Sequence, residues 1–124
     1  MLTQESLNMM LQADVTQLRT VVEEAIAQGR LGRPQFLRCI AQARDPDRPE
    51  QTLVTLVALV ESWFATPFAQ RFDLESDPKV SLTQMLTWSG GQGALITISV
   101  QHAVGNCNLD LMLIGSRGTL YFEH

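Results

Sequence analysis

The stretch "VVEEAIAQGRLGRPQFLR", residues 21–38, decides the fold, because it marks the end of a helix, a compact turn and the start of a strand. Gly29 stands where the residue after a helix turns left-handed, and Gly32 followed by Pro34 prevents the helix from continuing. Residues 35–43 then alternate as a strand does. The helix is predicted from apolar residues at helical spacing: Val15, Leu18, Val22, Ala25 and Ile26.

The remaining chain predicts one more helix and a series of strands. Residues 50–65 are apolar on nearly every side, so we expect this helix to be covered on more than one side. After it the hydrophobic period changes to two, which predicts strands near 68–75, 79–88, 94–102, 109–114 and 119–124. Short glycine-rich turns, "SGGQG" and "GSRG", separate the later strands, and the second places Gly115 and Gly118 at structural turns.

These elements predict an α+β fold, with a single mostly antiparallel β-sheet and helices packed on one face. The other face is predicted to be available for dimerisation, because Met112 and Ile114 are apolar on the side of their strand opposite three leucines. Six residues are predicted to be divided between this face and the helix-packed core, with the sides left open: Leu82, Leu86, Ile96, Ile98, Leu111 and Leu113.

Composition and charge argue against several classes of partner. The 124-residue chain has a net charge of −4 and no Lys/Arg cluster in its sequence, so we expect no nucleic-acid binding. Lys79 is its one lysine, and its longest apolar run is too short to span a bilayer, so we expect no membrane binding and a cytoplasmic location. Cys39 and Cys107 are expected to be free thiols in a reducing compartment, with a disulfide or a reactive thiol as the alternatives.

No catalytic, cofactor-binding or metal-binding residue can be assigned from the sequence. His102 and His124 stand near no partner that would make them a base or a ligand, and Ser116 lies in a turn instead of a nucleophile elbow. The charged loop 44–48 is interpreted as a solvated connection, although it could hold an ion. The alternating carboxylates of 73–77 are interpreted as the protection of an edge strand, although they could bind a cation.

Three stretches together resemble the Gfo/Idh/MocA family of NAD(P)-dependent oxidoreductases. "AIAQGRLGRPQFLR" resembles the segment that joins the two domains of that family, "DPKVSLTQMLTWSGGQGALITISV" a strand pair of its C-terminal sheet domain, and "LDLMLIGSRGTLYFE" a hairpin of that domain. The resemblance covers roughly residues 15–123. It implies that 15–124 form a C-terminal-like domain, and that 1–14 are an N-terminal extension or a remnant of the inter-domain helix. In the family this sheet commonly packs face to face with that of another subunit.

The sequence also departs from the family pattern. It has no strand followed by GxGxxG, and Lys79 follows Pro78 instead of standing in the Glu-Lys-Pro motif. The stretch "DRPEQTLVTLVALVES" lacks the active-site histidine that the family places there. The resemblance therefore implies no catalysis and no cofactor for this chain by itself, and NAD(P) only if a separate Rossmann-domain protein is its partner.

Three functions follow as hypotheses. The first is a stand-alone, non-catalytic domain that serves homodimerisation or partner binding through its sheet. The second is a fragment or subunit of an NAD(P)-dependent oxidoreductase acting on a sugar- or polyol-like substrate. The third is a small-ligand binding domain.

Overall fold

The computed structural model describes residues 4–43, 49–77, 81–100 and 109–123, with backbone only for 4–14, 43 and 100. The elements are helices α1 (Gln4–Ala27) and α2 (Pro49–Phe64) and strands β1 (Pro34–Ala43), β2 (Gln70–Asp77), β3 (Ser81–Thr87), β4 (Gly93–Val100), β5 (Leu109–Gly115) and β6 (Thr119–Glu123).

One six-stranded sheet, in the order β2-β3-β4-β1-β5-β6, forms the frame of the protein. Every neighbouring pair is antiparallel except β1 and β4, which run parallel. The first strand of the chain therefore lies in the middle of the sheet, between strands that come much later. The predicted α+β architecture with a mostly antiparallel sheet is confirmed.

The core lies between one face of the sheet and the two helices. Helix α2 packs on β4, β1 and β3, and α1 packs on β6. Registers such as Leu82 opposite Ile98 and Cys39 opposite both Ile96 and Leu111 put these side chains on a common side. All six leucines and isoleucines predicted to be divided between two faces lie on this helix-covered face, each at most 6% exposed: Leu82, Leu86, Ile96, Ile98, Leu111 and Leu113. The opposite face is formed by the residues that alternate with them.

Both helices differ in one respect from what the sequence predicts. Helix α1 begins at Gln4, well before the apolar spacing that starts at Val15. Helix α2 buries Leu53, Leu56 and Val60, but Val54 is 68% exposed, so one apolar side of this helix is not covered.

The joint after α1 has the turn chemistry that its glycines predict. Gly29 and Gly32 have φ values of +73° and +69°, in the left-handed region that glycine adopts without steric cost. Pro34 begins β1. At Gly118 a Cβ atom would lie 2.8 Å from the carbonyl oxygen of Arg30, so this turn packs directly against the joint.

The turn between β5 and β6 is bound to the same joint by hydrogen bonds. The backbone N–H of Ser116 donates to the carbonyl of Arg33 at 2.9 Å, and the N–H of Arg33 donates to Ser116 Oγ at 2.9 Å. The N–H of Arg117 donates to the carbonyl of Leu31 at 2.9 Å. A Cβ atom at Gly115 would collide with that same carbonyl. The two turns therefore form one compact unit at one end of the sheet.

Candidate functional site

The face of the sheet opposite the helices is the main candidate surface, and we call it the open face. One row of opposed residues crosses all six strands: Phe72, Met85, Leu95, Arg38, Met112 and Tyr121. A second row contains Ile40 opposite Thr97 and Asp110, and a third contains Phe36 opposite Gly93 and Ile114. The helices pack on the other side, so within the described residues no helix covers these rows.

Large apolar side chains on the open face are in contact with water. Phe72 is 46% exposed, Tyr121 55%, Ile40 37% and Ile114 36%. These four residues lie on four different strands, with the partly buried Met85, Leu95 and Met112 between them. Monomers rarely expose large apolar side chains on so many strands of one face unless that face serves an interaction.

Polar side chains border this apolar surface. Toward one end of the sheet the hydroxyls of Thr83 and Thr97 lie 3.1 Å apart in a hydrogen bond between neighbouring strands. On the edge strands, carboxylates stand on the same side as the open face: Glu75 and Asp77 on β2, and Glu123 on β6. The surface thus has an apolar middle and an acidic, solvated rim.

A charged cluster interrupts the apolar middle. Arg38 Nη2 lies 3.9 Å from Asp110 Oδ1, with the two side chains 40% and 29% exposed. The hydroxyl of Tyr121 donates to Asp110 Oδ2 at 3.0 Å, and this hydrogen bond is the main reason why the pKa of Tyr121 is raised. Arg38 Nε and Asp110 Oδ1 are both shielded from solvent and have no hydrogen-bond partner in the described part of the chain. The arginine and the carboxylate are therefore held close together but incompletely satisfied.

Cys39 lies behind this cluster, on the core side of β1. Its side chain is buried and forms no disulfide, and burial, followed by the nearby charge of Asp110, raises the pKa of the thiol to about 12. A thiol held in its neutral form is a poor nucleophile, so Cys39 acts as a small core residue.

Other residues singled out in the sequence have structural roles. Ser116 is a hydrogen-bonding turn residue. A β-bulge between Asp73 and Glu75 places Asp73 opposite Gln84, whose Nε2 donates to it at 2.8 Å, and Glu75 opposite Thr83. Although Asp73 and Glu75 alternate in the sequence, they lie on opposite faces of the strand, because the extra residue of a bulge reverses the alternation.

Several predicted candidates lie outside the described residues: His102, His124, Cys107 and the charged loop 44–48. Among the residues that the structure does describe, no group of three or more His, Cys, Asp or Glu side chains is arranged to hold a metal ion. Within the same residues, neither helix is long and apolar enough to cross a bilayer.

An aromatic cluster joins the end of α2 to the β3–β4 turn. The rings of Phe64 and Trp88 stack with centroids 4.2 Å apart, and Phe68 meets Trp88 edge-on at 6.4 Å. Trp88 Nε1 donates to the carbonyl of Thr66 at 2.7 Å. These contacts make a packed helix end.

The described residues do not fit a nicotinamide dinucleotide by themselves. Such a cofactor binds where a strand leads through a glycine-rich turn into a helix. Among the described elements, only β1 is followed directly by a helix, and the connecting residues 44–48 contain no glycine. No step of hydride transfer can therefore be derived from this part of the chain.

The open face was only partly visible in the sequence. The two-sided apolar pattern of β5 indicated that an open face exists, but the strand order was needed to show that Phe72, Leu95 and Arg38 lie in one row. Arg38 and Asp110 are far apart in sequence, and no local pattern connects them. An arginine alternating with core residues in a central strand is the one signal that could have indicated the cluster.

Comparison with known proteins shows the fold. No family model and no curated protein matches the chain. Solved structures do match: a probable dehydrogenase from Thermotoga maritima and a putative myo-inositol dehydrogenase from Sinorhizobium meliloti each have a TM-score of 0.66 at 15% identity, covering 83% of this chain and 37% of theirs. The WlbA dehydrogenase from Bordetella pertussis, in complex with NADH and UDP-GlcNAcA, matches with a TM-score of 0.61 at 17% identity, covering 85% of this chain and 39% of its own.

These structures confirm, at the level of the fold, the resemblance to Gfo/Idh/MocA-type dehydrogenases. The chain spans a little more than a third of the length of the dehydrogenases it matches. What it shares with them is therefore the architecture of one part of a larger enzyme.

Proposed function

We propose that this chain is a non-catalytic association module that forms a homodimer by packing its open face against that of a second copy. The observation that carries the proposal is the row of large side chains across all six strands, in which Phe72 is 46% and Tyr121 55% exposed, with the exposed Ile40 and Ile114 in the neighbouring rows. Covering such a surface removes apolar area from water, which is the main driving force of protein association.

The size of the open face supports a stable dimer. Six strands spaced about 4.8 Å apart, with a rise of about 3.4 Å per residue, give a plan area on the order of 600 Å². Side chains that project from the sheet add accessible surface beyond this plan area. A standard interface buries about 800 Å² on each partner, so the face is large enough. An apolar middle with a polar rim is also the usual anatomy of such an interface.

Ile40→Lys tests the proposal, because Ile40 lies on the central strand of the open face and is 37% exposed. The new ammonium group can remain hydrated in a monomer but would be buried in the dimer. Light scattering across a dilution series should show a dimer for the unaltered chain and a monomer for Ile40→Lys. Val54→Lys is the matched control, because Val54 is 68% exposed on α2, away from the sheet.

The two variants distinguish loss of the dimer from loss of the fold. Circular dichroism establishes that both variants are folded, and Val54→Lys should remain a dimer. An unaltered chain that is a monomer at every concentration would contradict the proposal, and so would a folded Ile40→Lys variant that dimerises as tightly as the control.

A second candidate function is a subunit or fragment of an NAD(P)-dependent oxidoreductase acting on a sugar- or polyol-like substrate. The fold shared with part of several dehydrogenases, one of them solved with NADH, favours it. The nucleotide-binding half would then be supplied by a Rossmann-domain protein. The chain alone should not change NADH fluorescence. The chain with such a partner should reduce NAD+ to NADH when a sugar or polyol is supplied, with the substrate's alcohol losing a hydride to NAD+ and a proton to water to become a carbonyl. A partner that is equally active without this chain would exclude the function.

A further inference from the structure

We infer that Arg38 and Asp110 make the open face selective for its own copy, with each Arg38 binding the Asp110 of the other chain. This inference rests on the proposed homodimer and names the residues that choose the partner. It assigns them a role beyond the stability of the single chain.

The first argument is the incomplete pairing of the two groups within one chain. Arg38 and Asp110 approach only to 3.9 Å, at the outer limit of an ion pair, and Arg38 Nε and Asp110 Oδ1 have no hydrogen-bond partner among the described residues. A guanidinium has five N–H donors and can bind a carboxylate with two hydrogen bonds at once. Because Nε is shielded from solvent, the donors that Arg38 retains for a second carboxylate are those of its terminal Nη nitrogens, on a side chain that is 40% exposed.

The second argument is that Asp110 is held in position on its strand. The hydroxyl of Tyr121 donates to Oδ2 at 3.0 Å and fixes the orientation of the carboxylate. Oδ1 faces the Arg38 of its own chain and is shielded from solvent, so a guanidinium of the second chain would bind the remaining lone pairs of Oδ2, on a side chain that is 29% exposed. A charged group whose orientation is already fixed loses less entropy on binding. Tyr121 is thus a positioning residue for this contact.

The third argument is the apolar surroundings of the pair. Arg38 lies in a row between Leu95 and Met112, and Asp110 lies opposite Ile40. A purely apolar partner surface would bury two incompletely paired charges, which is unfavourable. A matching partner must offer a carboxylate to Arg38 and a cation to Asp110.

The open face itself is such a surface. Arg38 and Asp110 are neighbours on adjacent strands. Consider a twofold axis midway between the two sheets that crosses, at a right angle, the midpoint of the line from Arg38 to Asp110. This axis places each arginine over the aspartate of the other copy. The other carboxylates of this face, Glu75, Asp77 and Glu123, lie on the two edge strands. There they can remain hydrated at the rim, where salt screens their repulsion.

A charge exchange between two variants tests the inference. The Arg38→Asp variant has carboxylates at both positions 38 and 110, and the Asp110→Arg variant has guanidinium groups at both. In each homodimer like charges would face each other, so each variant should dimerise at least tenfold more weakly than the unaltered chain. When the two are produced together, the introduced aspartate of one variant faces the introduced arginine of the other, and the retained Asp110 faces the retained Arg38. Native mass spectrometry should then show a heterodimer between the two variants and little of either homodimer.

The heterodimer distinguishes recognition between chains from an effect inside one chain. Repulsion between two like charges inside one chain would destabilise each variant, but mixing the two variants could not relieve it. If either exchange prevents folding, Arg38→Glu and Asp110→Lys provide a second pair with the same charges.

The results test the charge pair and the homodimer separately. Variants that dimerise as tightly as the unaltered chain, or that do not form the heterodimer when mixed, would overturn the inference while leaving the homodimer in place. An unaltered chain that does not dimerise would instead refute the proposed function on which the inference rests. A heterodimer obtained only by mixing would establish the reciprocal contact.

Discussion

Replacing Leu111 by alanine should test how the two faces of β5 differ. Leu111 is fully buried, with Cys39 opposite it on β1 and Phe122 opposite it on β6. Its neighbour Met112 lies on the open face and is only partly buried. Met112→Ala is therefore a matched control, because it removes a side chain of similar size from the same strand.

The magnitude follows from burial. A fully buried leucine replaced by alanine costs about 2–5 kcal/mol, and we take about 3 kcal/mol for Leu111, since strands on both sides hinder collapse of the cavity. For a chain of 124 residues the entropy of unfolding near the Tm is about 0.26 kcal/mol/K, so the Tm should fall by about 12 °C. Met112→Ala should lower the Tm by less than about 4 °C in dilute protein.

The assay is thermal unfolding followed by circular dichroism at two protein concentrations. The decrease in Tm caused by Leu111→Ala should be the same at both protein concentrations, because the cavity lies inside one chain. The decrease in Tm caused by Met112→Ala should grow with protein concentration. The dimer stabilises the folded state by mass action, and this substitution on the open face weakens the dimer. Equal losses for the two variants at low concentration would refute the assignment of Leu111 to the core and Met112 to the open face.

Two further predictions concern the thiol and the turns. The pKa of Cys39 is raised from 9.0 to about 12, so the folded state favours the neutral thiol and the free energy of unfolding should fall as the pH rises above about 9. In a Cys107→Ser background, denaturant titrations should show that Cys39→Ala makes this decline smaller, and an unchanged decline would contradict the burial argument. Gly115→Ala should destabilise the protein much more than Gly29→Ala, because the new Cβ atom at position 115 would collide with the Leu31 carbonyl. At position 29 a Cβ atom meets open space, so the cost is only that of a left-handed backbone for alanine, about 1 kcal/mol. Equal midpoints in urea for the two glycine variants would show that the two turns are not packed as described.

Local patterns were sufficient for much of the fold. The alternation of Leu109, Leu111 and Leu113 predicted both the strand and its buried side, and Gly29 and Gly32 predicted the turn into β1. These features depend on neighbouring residues in the chain, so their physical cause is contained in a short stretch of sequence.

Long-range pairing could not be predicted in the same way. The parallel alignment of β1 with β4 and the proximity of Arg38 to Asp110 depend on strands brought together from distant parts of the chain. The bulge in β2 was also missed, because Asp73 and Glu75 alternate in sequence as in a regular strand. The six predicted interface residues show the same difficulty, since period two identifies two faces but does not say which one the helices cover.

The central position of β1 has a consequence for the synthesis of the protein. This strand is translated before both of its neighbours, β4 and β5, which follow α2, β2 and β3 in the sequence. Until then Leu37, Cys39 and Ala41, which are buried in the finished sheet, have no strand beside them. Pairing across such long separations is slow because a large loop must close first. The sheet can therefore be completed only after β5 and β6 have been translated, and β1 remains without strand neighbours while the intervening elements are made.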